Sequence, residues 1–154
     1  MPRVSPRHAL ARVLAEELPI TQSLGIGVVA ASPAGVVLSL PLAANRNHKG
    51  TVFAGSLNAV ATLAGWGLLW VVLRERQVEA QVVIQDATVR YLVPARGDVQ
   101  ARCTAPEPGV MAAAEAMLHR RGRGRVTLRA DVTDTSGTVV ATLSGRYVIH
   151  RSGT

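Results

Sequence analysis

The chain has 154 residues, a net charge of +7 and a composition that is 48% hydrophobic but only 3% aromatic. This length is typical of one domain with its own core, and we expect a single domain over residues 1–154. The lone cysteine, Cys103, excludes an internal disulfide, and the alternating segment around it indicates a structural thiol. The scarcity of aromatic side chains leaves little surface for base stacking, which argues against a nucleic-acid binder.

The N-terminal segment carries Arg and Glu within its apolar pattern and has no long apolar run, unlike a signal peptide. We therefore expect a cytoplasmic protein. The net positive charge can favour an anionic partner. It can also reflect a general preference for arginine, since Lys49 is the only lysine.

The first third of the chain predicts a helix, a hairpin and a loop. Residues 7–18 place apolar side chains on one side, as an amphipathic helix does, and Pro19 ends the pattern. Two β-branched runs then flank a turn signal at residues 32–35, which predicts a β-hairpin. Residues 42–50 form a polar loop.

Residues 51–73 carry no charge and are long enough to cross a bilayer. The segment contains several glycines and polar side chains, and a helix that is apolar all round also fits the core of a globular protein. We therefore predict a buried helix over residues 54–74 and no membrane span. Helical spacing places small and polar residues on one narrow face: Gly55, Asn58, Ala59, Thr62 and Gly65.

The second half of the chain predicts a mostly antiparallel sheet. Residues 80–93 read as a long strand, 94–98 as a turn and 99–105 as the returning strand. Residues 110–120 fit either a short helix or a strand. Strict alternation over 125–132 and the run 139–150 predict a final hairpin, so the fold class is α+β.

Three segments resemble the hotdog-fold thioesterases: "NHKGTVFAGSL" at 47–57, "RYLVPARGD" at 90–98 and the strand pair within 121–149. The first is similar to the pattern Asn-x-x-Gly-Thr-x-His-Gly-Gly, with Phe53 and Ala54 in place of the His and the first Gly. Residues 45–70 are most similar to the thioesterase-like domain that some bacteria carry behind an acetyltransferase, the YiiD C-terminal type. The resemblance implies a hotdog fold, in which a curved antiparallel sheet wraps a long central helix.

The resemblance also implies an activity, which is hydrolysis of acyl-CoA or acyl-carrier thioesters by water at a dimer interface. A homodimer or a dimer of dimers is expected, with coenzyme A as part of the substrate and neither a separate cofactor nor a metal. The amides of Ala54 and Gly55 would stabilise the oxyanion at the start of the central helix. Phe53 and Ser56 lie beside them in the sequence and are candidates for substrate contact.

The loop before the helix supplies further candidates. Asn47 matches the loop Asn of the related pattern, where its amide would orient water or the carbonyl but could not act as a base. Asn45 either assists it or shapes a turn. His48 is a titratable candidate next to the motif, although a surface histidine is equally compatible with the pattern.

The general base is the weak point of the hydrolase hypothesis. Related proteins carry Asp or Glu about two turns into the helix, where this chain has Thr62. Asn58 could add a hydrogen bond but no proton acceptor. Asp86 lies in an apolar strand, and alternation places it on the face of Ile84 and Thr88. If it were buried, its pKa would rise towards a useful range.

Arginines near the motifs could contact the phosphates of coenzyme A, or could simply form a solvated basic turn: Arg90, Arg121 and Arg123. Three other functions remain open. The missing carboxylate favours a non-catalytic acyl-CoA sensor, whereas a hydratase needs a His and carboxylate pair that the sequence does not show. The net charge alone favours nucleic acid.

Overall fold

The structure is a computed structural model that describes residues 2–151. Four helices and six strands follow one another along the chain: α1 (Pro6–Glu17), α2 (Ile20–Leu24), β1 (Gly27–Ser32), β2 (Gly35–Leu40), α3 (Ala54–Glu75), β3 (Gln81–Tyr91), β4 (Val99–Thr104), α4 (Pro108–Arg121), β5 (Arg123–Asp134) and β6 (Val139–His150). The predicted hairpin, long helix and returning strands are confirmed.

The strands form one antiparallel sheet in the order β1-β2-β4-β5-β6-β3. Each strand from β4 to β6 turns alternate side chains inward, and the inward side chains pack on α3, which contacts all six strands. The sheet therefore wraps the helix, as the resemblance implied. The strand β3 lies at one end of the sheet, so one of its edges has no partner strand among residues 2–151.

The helix α1 begins where the sequence predicts, because the Ser5 side chain accepts a hydrogen bond from the His8 amide and Pro6 occupies the first turn. The helix also ends where predicted, just before Pro19. Pro19 caps the short helix α2, which ends at Gly25 with a φ of +71°. A left-handed residue of this kind suits glycine, which has no Cβ to clash.

The charge-free segment is the buried centre of the fold. It is the one helix among residues 2–151 that is long and apolar enough to span a bilayer, and 67% of its most apolar window is buried by the rest of the chain. Its glycines allow close packing: the Leu10 side chain lies against Gly67, and the Tyr147 ring occupies the space that a side chain at Gly65 would need. These contacts explain why small residues lie in the middle of a helix despite their low helix propensity.

Residues 110–120, for which helix and strand were both open, lie in the helix α4. Three of its side chains, Met111, Ala114 and Leu118, are buried against the sheet. The helix ends at Gly122, whose φ of +78° is left-handed. The first residues of β5 pass directly beneath it, because the Ala114 carbonyl occupies the place of a side chain at Gly124.

Two buried acidic groups predict an alkaline loss of stability. Burial raises the pKa of the Cys103 thiol to about 12, and burial together with that thiol raises the pKa of Tyr147. An unfolded cysteine loses its proton near pH 8.5, so between that pH and about 12 deprotonation favours the unfolded chain. The free energy of unfolding from urea titrations should therefore be constant near pH 7 and fall steadily above pH 8.5. A Cys103→Ala variant should show a shallower fall, and an identical slope would contradict this assignment.

Candidate functional site

The start of α3 presents two free hydrogen-bond donors. The amides of Ser56 and Leu57 donate to the Phe53 carbonyl at 3.0 and 3.1 Å. Within residues 2–151, no acceptor contacts the amide of Ala54 or Gly55, and both residues are exposed. Free N–H groups at the positive end of a helix dipole attract negative charge, so this position can stabilise an oxyanion.

Asn45 holds the chain that leads into this helix. Its Nδ2 donates to the carbonyls of Leu24 and Pro41, both at 2.8 Å, and its own carbonyl accepts from the Phe53 amide at 2.7 Å. The side chain is buried, and its Oδ1 has no partner among the described residues. These contacts support the alternative that Asn45 shapes a turn, because the carbonyls of Leu24 and Pro41 fix the direction of its side-chain amide.

Asn47 shapes the next turn of the same loop. Its Oδ1 accepts from the amides of Lys49 and Thr51, and its Nδ2 donates to the Thr51 hydroxyl at 2.8 Å. These bonds use the oxygen and one amide hydrogen within the loop, leaving one hydrogen for a substrate or water. Its role in orienting water stays a prediction. The neighbouring His48 is exposed.

The Phe53 side chain covers the first turn of α3. A Cβ at Gly55 would collide with its ring, so a larger residue there would require the ring to move. Phe53 is itself 55% exposed. It is also the residue that caps the helix, and it makes no side-chain capping bond. Ser56 therefore lies inside the helix rather than at its cap, and it is buried.

The small polar face predicted for α3 exists and contains a hydrogen-bonded pair. The Thr62 hydroxyl donates to Asn58 Oδ1 at 3.1 Å. The Thr62 carbonyl accepts from the buried Tyr147 hydroxyl at 2.7 Å, which anchors this turn of the helix to β6. Asn58 is exposed and Thr62 is half-buried, so a water could contact the Asn58 amide and the Thr62 oxygen together.

The predicted placement of Asp86 is right for Thr88, which shares its face, and wrong for Ile84. A bulge between Ile84 and Asp86 shifts the register, so Ile84 lies opposite Tyr147 but Asp86 lies opposite Arg146. The carboxylate is on the outer face of the sheet, 61% exposed, with its Oδ2 3.5 Å from the Arg146 guanidinium. Strict alternation could not predict the bulge. The carboxylate is not buried, and its role as base stays a prediction.

The candidate phosphate contacts lie at two ends of the sheet. Arg90 lies opposite Thr142 and Arg123 lies opposite His150, eight residues further along β6. At about 3.3 Å per residue, the two arginines are roughly 27 Å apart and cannot contact one phosphate from the same chain. Arg121 and Arg123 both line a cavity of about 380 Å³ between α4 and β5.

Comparison with known proteins agrees with this geometry. Residues 7–151 match the family described as putative thioesterase (yiiD_Cterm). A protein of unknown function from Chlorobaculum tepidum TLS is similar in structure, with 25% identity, 95% of this chain and 94% of that chain covered, and a TM-score of 0.89. A putative thioesterase from Shewanella oneidensis has 26% identity, 93% and 96% coverage, and a TM-score of 0.79.

A thioesterase from Haemophilus influenzae shares the fold alone, with 17% identity, 99% and 95% coverage and a TM-score of 0.76. The architecture, with one long helix inside an antiparallel sheet, is therefore that of the hotdog thioesterases. The chain belongs to the thioesterase family of the YiiD C-terminal type.

Tyr147 also belongs to this region, although it was not among the site residues predicted from the sequence. Its hydroxyl reaches the helix turn of Thr62, and its ring requires the glycine at position 65. The signal was present in the sequence, because Tyr147 is the only aromatic residue in the alternating C-terminal strands and falls on their apolar face. Its contact with Thr62, which is 85 positions away in the chain, depends on the closed sheet.

Proposed function

We propose that this protein hydrolyses acyl thioesters, carried by coenzyme A or by an acyl carrier, by direct attack of water. The observation that carries the proposal is the pair of free, exposed amides of Ala54 and Gly55 at the start of α3. An oxyanion hole of two backbone donors is what acyl transfer requires, and fixed donors cost no reorganisation when charge develops. The thioester carbonyl oxygen would accept from both amides.

The attacking water would lie against Asn58 and Thr62. Its oxygen attacks the carbonyl carbon, the C–S bond breaks, and the water proton ends on the departing thiolate. Because Thr62 cannot accept a full proton, the pair orients the water without deprotonating it. This arrangement supports slow turnover, since general-base catalysis ordinarily contributes a factor of about 10²–10⁴.

A second copy of the chain would complete the site. The edge strand β3 runs for eleven residues, and among residues 2–151 one of its edges has no partner strand. Exposed apolar side chains lie in it or directly after it: Val83, Tyr91, Leu92 and Val93. Long apolar edges of this kind are normally covered. Pairing of β3 with its copy would cover these side chains, consistent with a homodimer.

Release of free thiol from acyl-CoA substrates of increasing chain length tests the proposal. We expect measurable turnover by the wild-type protein and a gain of about tenfold or more in kcat for Thr62→Asp, which introduces the missing base. A Thr62→Val variant, which keeps the shape but removes the hydroxyl, controls for packing and should lose turnover. If the aspartate variant folds normally and hydrolyses no faster, Thr62 does not contact the attacking water.

The alternative function is acyl-CoA binding without hydrolysis. One specific observation favours it: the central helix carries no carboxylate from Ala54 to Arg74, and Asp86 lies on the outer face of the sheet. Calorimetry with a non-hydrolysable thioether analogue separates the two functions. Tight analogue binding with no thiol release from any acyl-CoA would select the binding function.

A further inference from the structure

The outer face of the sheet collects cationic side chains that are scattered in the sequence. Outward residues of β3, β5 and β6 alternate with inward ones, and the register places them in rows across the strands. One row joins Arg129 to Ser144 and Thr88, and the next joins Arg102 through Asp131 and Thr142 to Arg90. We call this surface the cationic face. Its arginines are Arg90, Arg102, Arg123, Arg125, Arg129 and Arg146.

Few acidic residues lie on the cationic face to neutralise its arginines. Its acidic residues are Asp86 and Asp131, so it holds four of the seven excess positive charges of the chain. Arg146 pairs with Asp86, and Arg125 donates to the Gln85 side chain at 3.1 Å. Within residues 2–151, no carboxylate lies within ion-pair distance of the other four arginines: Arg90, Arg102, Arg123 and Arg129.

A general preference for arginine does not account for this distribution. Near the helices, several cations lie beside acids, since Arg12 pairs with Glu16, Arg74 with Glu75, and Arg76 with Glu115. The helix arginines without an ion pair among residues 2–151 are Arg7, Arg120 and Arg121. Like charges crowded on one sheet face oppose folding rather than stabilise it. Stability therefore does not explain the face, whereas recognition of an anionic partner does, since a charged surface steers such a partner into contact.

The charge and composition of the cationic face indicate which class of partner binds it. A second copy would bring like charges together, which disfavours stacking of two such faces. Nucleic acid is disfavoured because the outward side chains in these rows include no Phe, Tyr or Trp, and His150, at one end of the rows, is their one ring on which a base could stack. They also include no large apolar side chain beyond Val83 and Val148 that could insert into a lipid surface. A folded protein with an acidic surface fits best.

We propose that the cationic face docks an acidic acyl-carrier protein, which delivers the thioester on its flexible arm. The inference rests on the proposed function, since it identifies the carrier of the acyl group. Arg90 lies next to the end of β3, and the chain beyond it holds the start of α3 through the bond from the Val52 amide to the Ala95 carbonyl at 2.9 Å. Docking at this end of the face therefore brings the arm close to the free amides.

The variant Arg102→Ser with Arg129→Ser tests the docking. Both arginines line one outward cavity of about 440 Å³, and neither belongs to an ion pair among the described residues. The probe is an acyl carrier protein whose arm bears an octanoyl group in a thioether link, so binding is measured by calorimetry without hydrolysis. We expect binding to weaken about tenfold and the wild-type affinity to fall as salt rises. The melting temperature should stay the same or rise.

A matched variant, Arg3→Ser with Arg12→Ser, removes the same charge from exposed ion pairs away from the cationic face and should bind like wild type. Equal weakening in both double variants would overturn the proposal, because net charge alone would then explain it. Two other results would also overturn the proposal. One is that the wild-type protein binds a short single-stranded RNA as tightly as it binds the carrier, and the other is that it does not bind the carrier at low salt. Turnover of octanoyl-CoA, measured in parallel, reports on the proposed function separately: it should be unchanged in both variants.

Discussion

Replacing Ala54 with proline should lower kcat by about 100-fold while the protein stays folded. Proline removes the amide hydrogen, and loss of one oxyanion donor typically costs 10²–10³ in rate. Ala54 is the first residue of α3, a position where helices accept proline, and Phe53 before it is already extended with φ −59° and ψ 134°. Thiol release from acyl-CoA, together with the melting temperature, measures both effects.

The matched variant Ala54→Ser changes the side chain but keeps the amide hydrogen, so it should retain much of the turnover that the proline variant loses. Its melting temperature should be close to that of wild type, because position 54 is exposed. Full activity in a normally folded proline variant would show that this amide does not contact the oxyanion. The donor would then have to be sought elsewhere on the first turn.

The variant Gly124→Ala should lower the free energy of unfolding by about 3 kcal/mol, as overpacking of a close contact does. An added Cβ would collide with the Ala114 carbonyl oxygen and lie 2.9 Å from its carbon, and these are backbone atoms that no rotamer change can move. The helix α4 would have to lift from β5, exposing the buried side chains of Met111 and Leu118. Urea denaturation followed by circular dichroism measures the loss.

Gly109→Ala provides the comparison in the same helix. Nothing lies within 4 Å of a Cβ at that position, and its φ is not in the left-handed region. Alanine in a helix is favoured over glycine by up to about 1 kcal/mol, so this change should be neutral or slightly stabilising. A Gly124 variant as stable as the Gly109 variant would mean that α4 moves away from the sheet at little cost.

Periodicity predicted most of the fold because local physics produces it. The alternation within residues 125–132 and the apolar spacing in residues 7–18 depend on which side chains must face the core, and the structure has a strand and a helix there. Residues 110–120 could not be assigned from sequence, since alanine and methionine suit either element. Packing of Met111 and Leu118 on the sheet selects the helix.

The site was only partly predictable for the same reason. The free amides at the start of α3 follow from where a helix begins, which the sequence indicates. Asp86 was predicted to share a face with Ile84, which it does not, because one bulged residue between them reverses the later side chains, and a bulge leaves no clear pattern in the sequence. The bonds of Asn47 within its own loop also depend on a turn geometry that composition does not specify.

The sequence by itself determined the long helix, the strands around it and the absence of a carboxylate from Ala54 to Arg74, because these are properties of neighbouring residues. Only the tertiary structure decided which distant groups meet. The Tyr147 hydroxyl on the Thr62 carbonyl, the glycine beneath the Ala114 carbonyl and the six arginines on one face all depend on strand register. Register is set by the whole sheet at once, so no local pattern contains it.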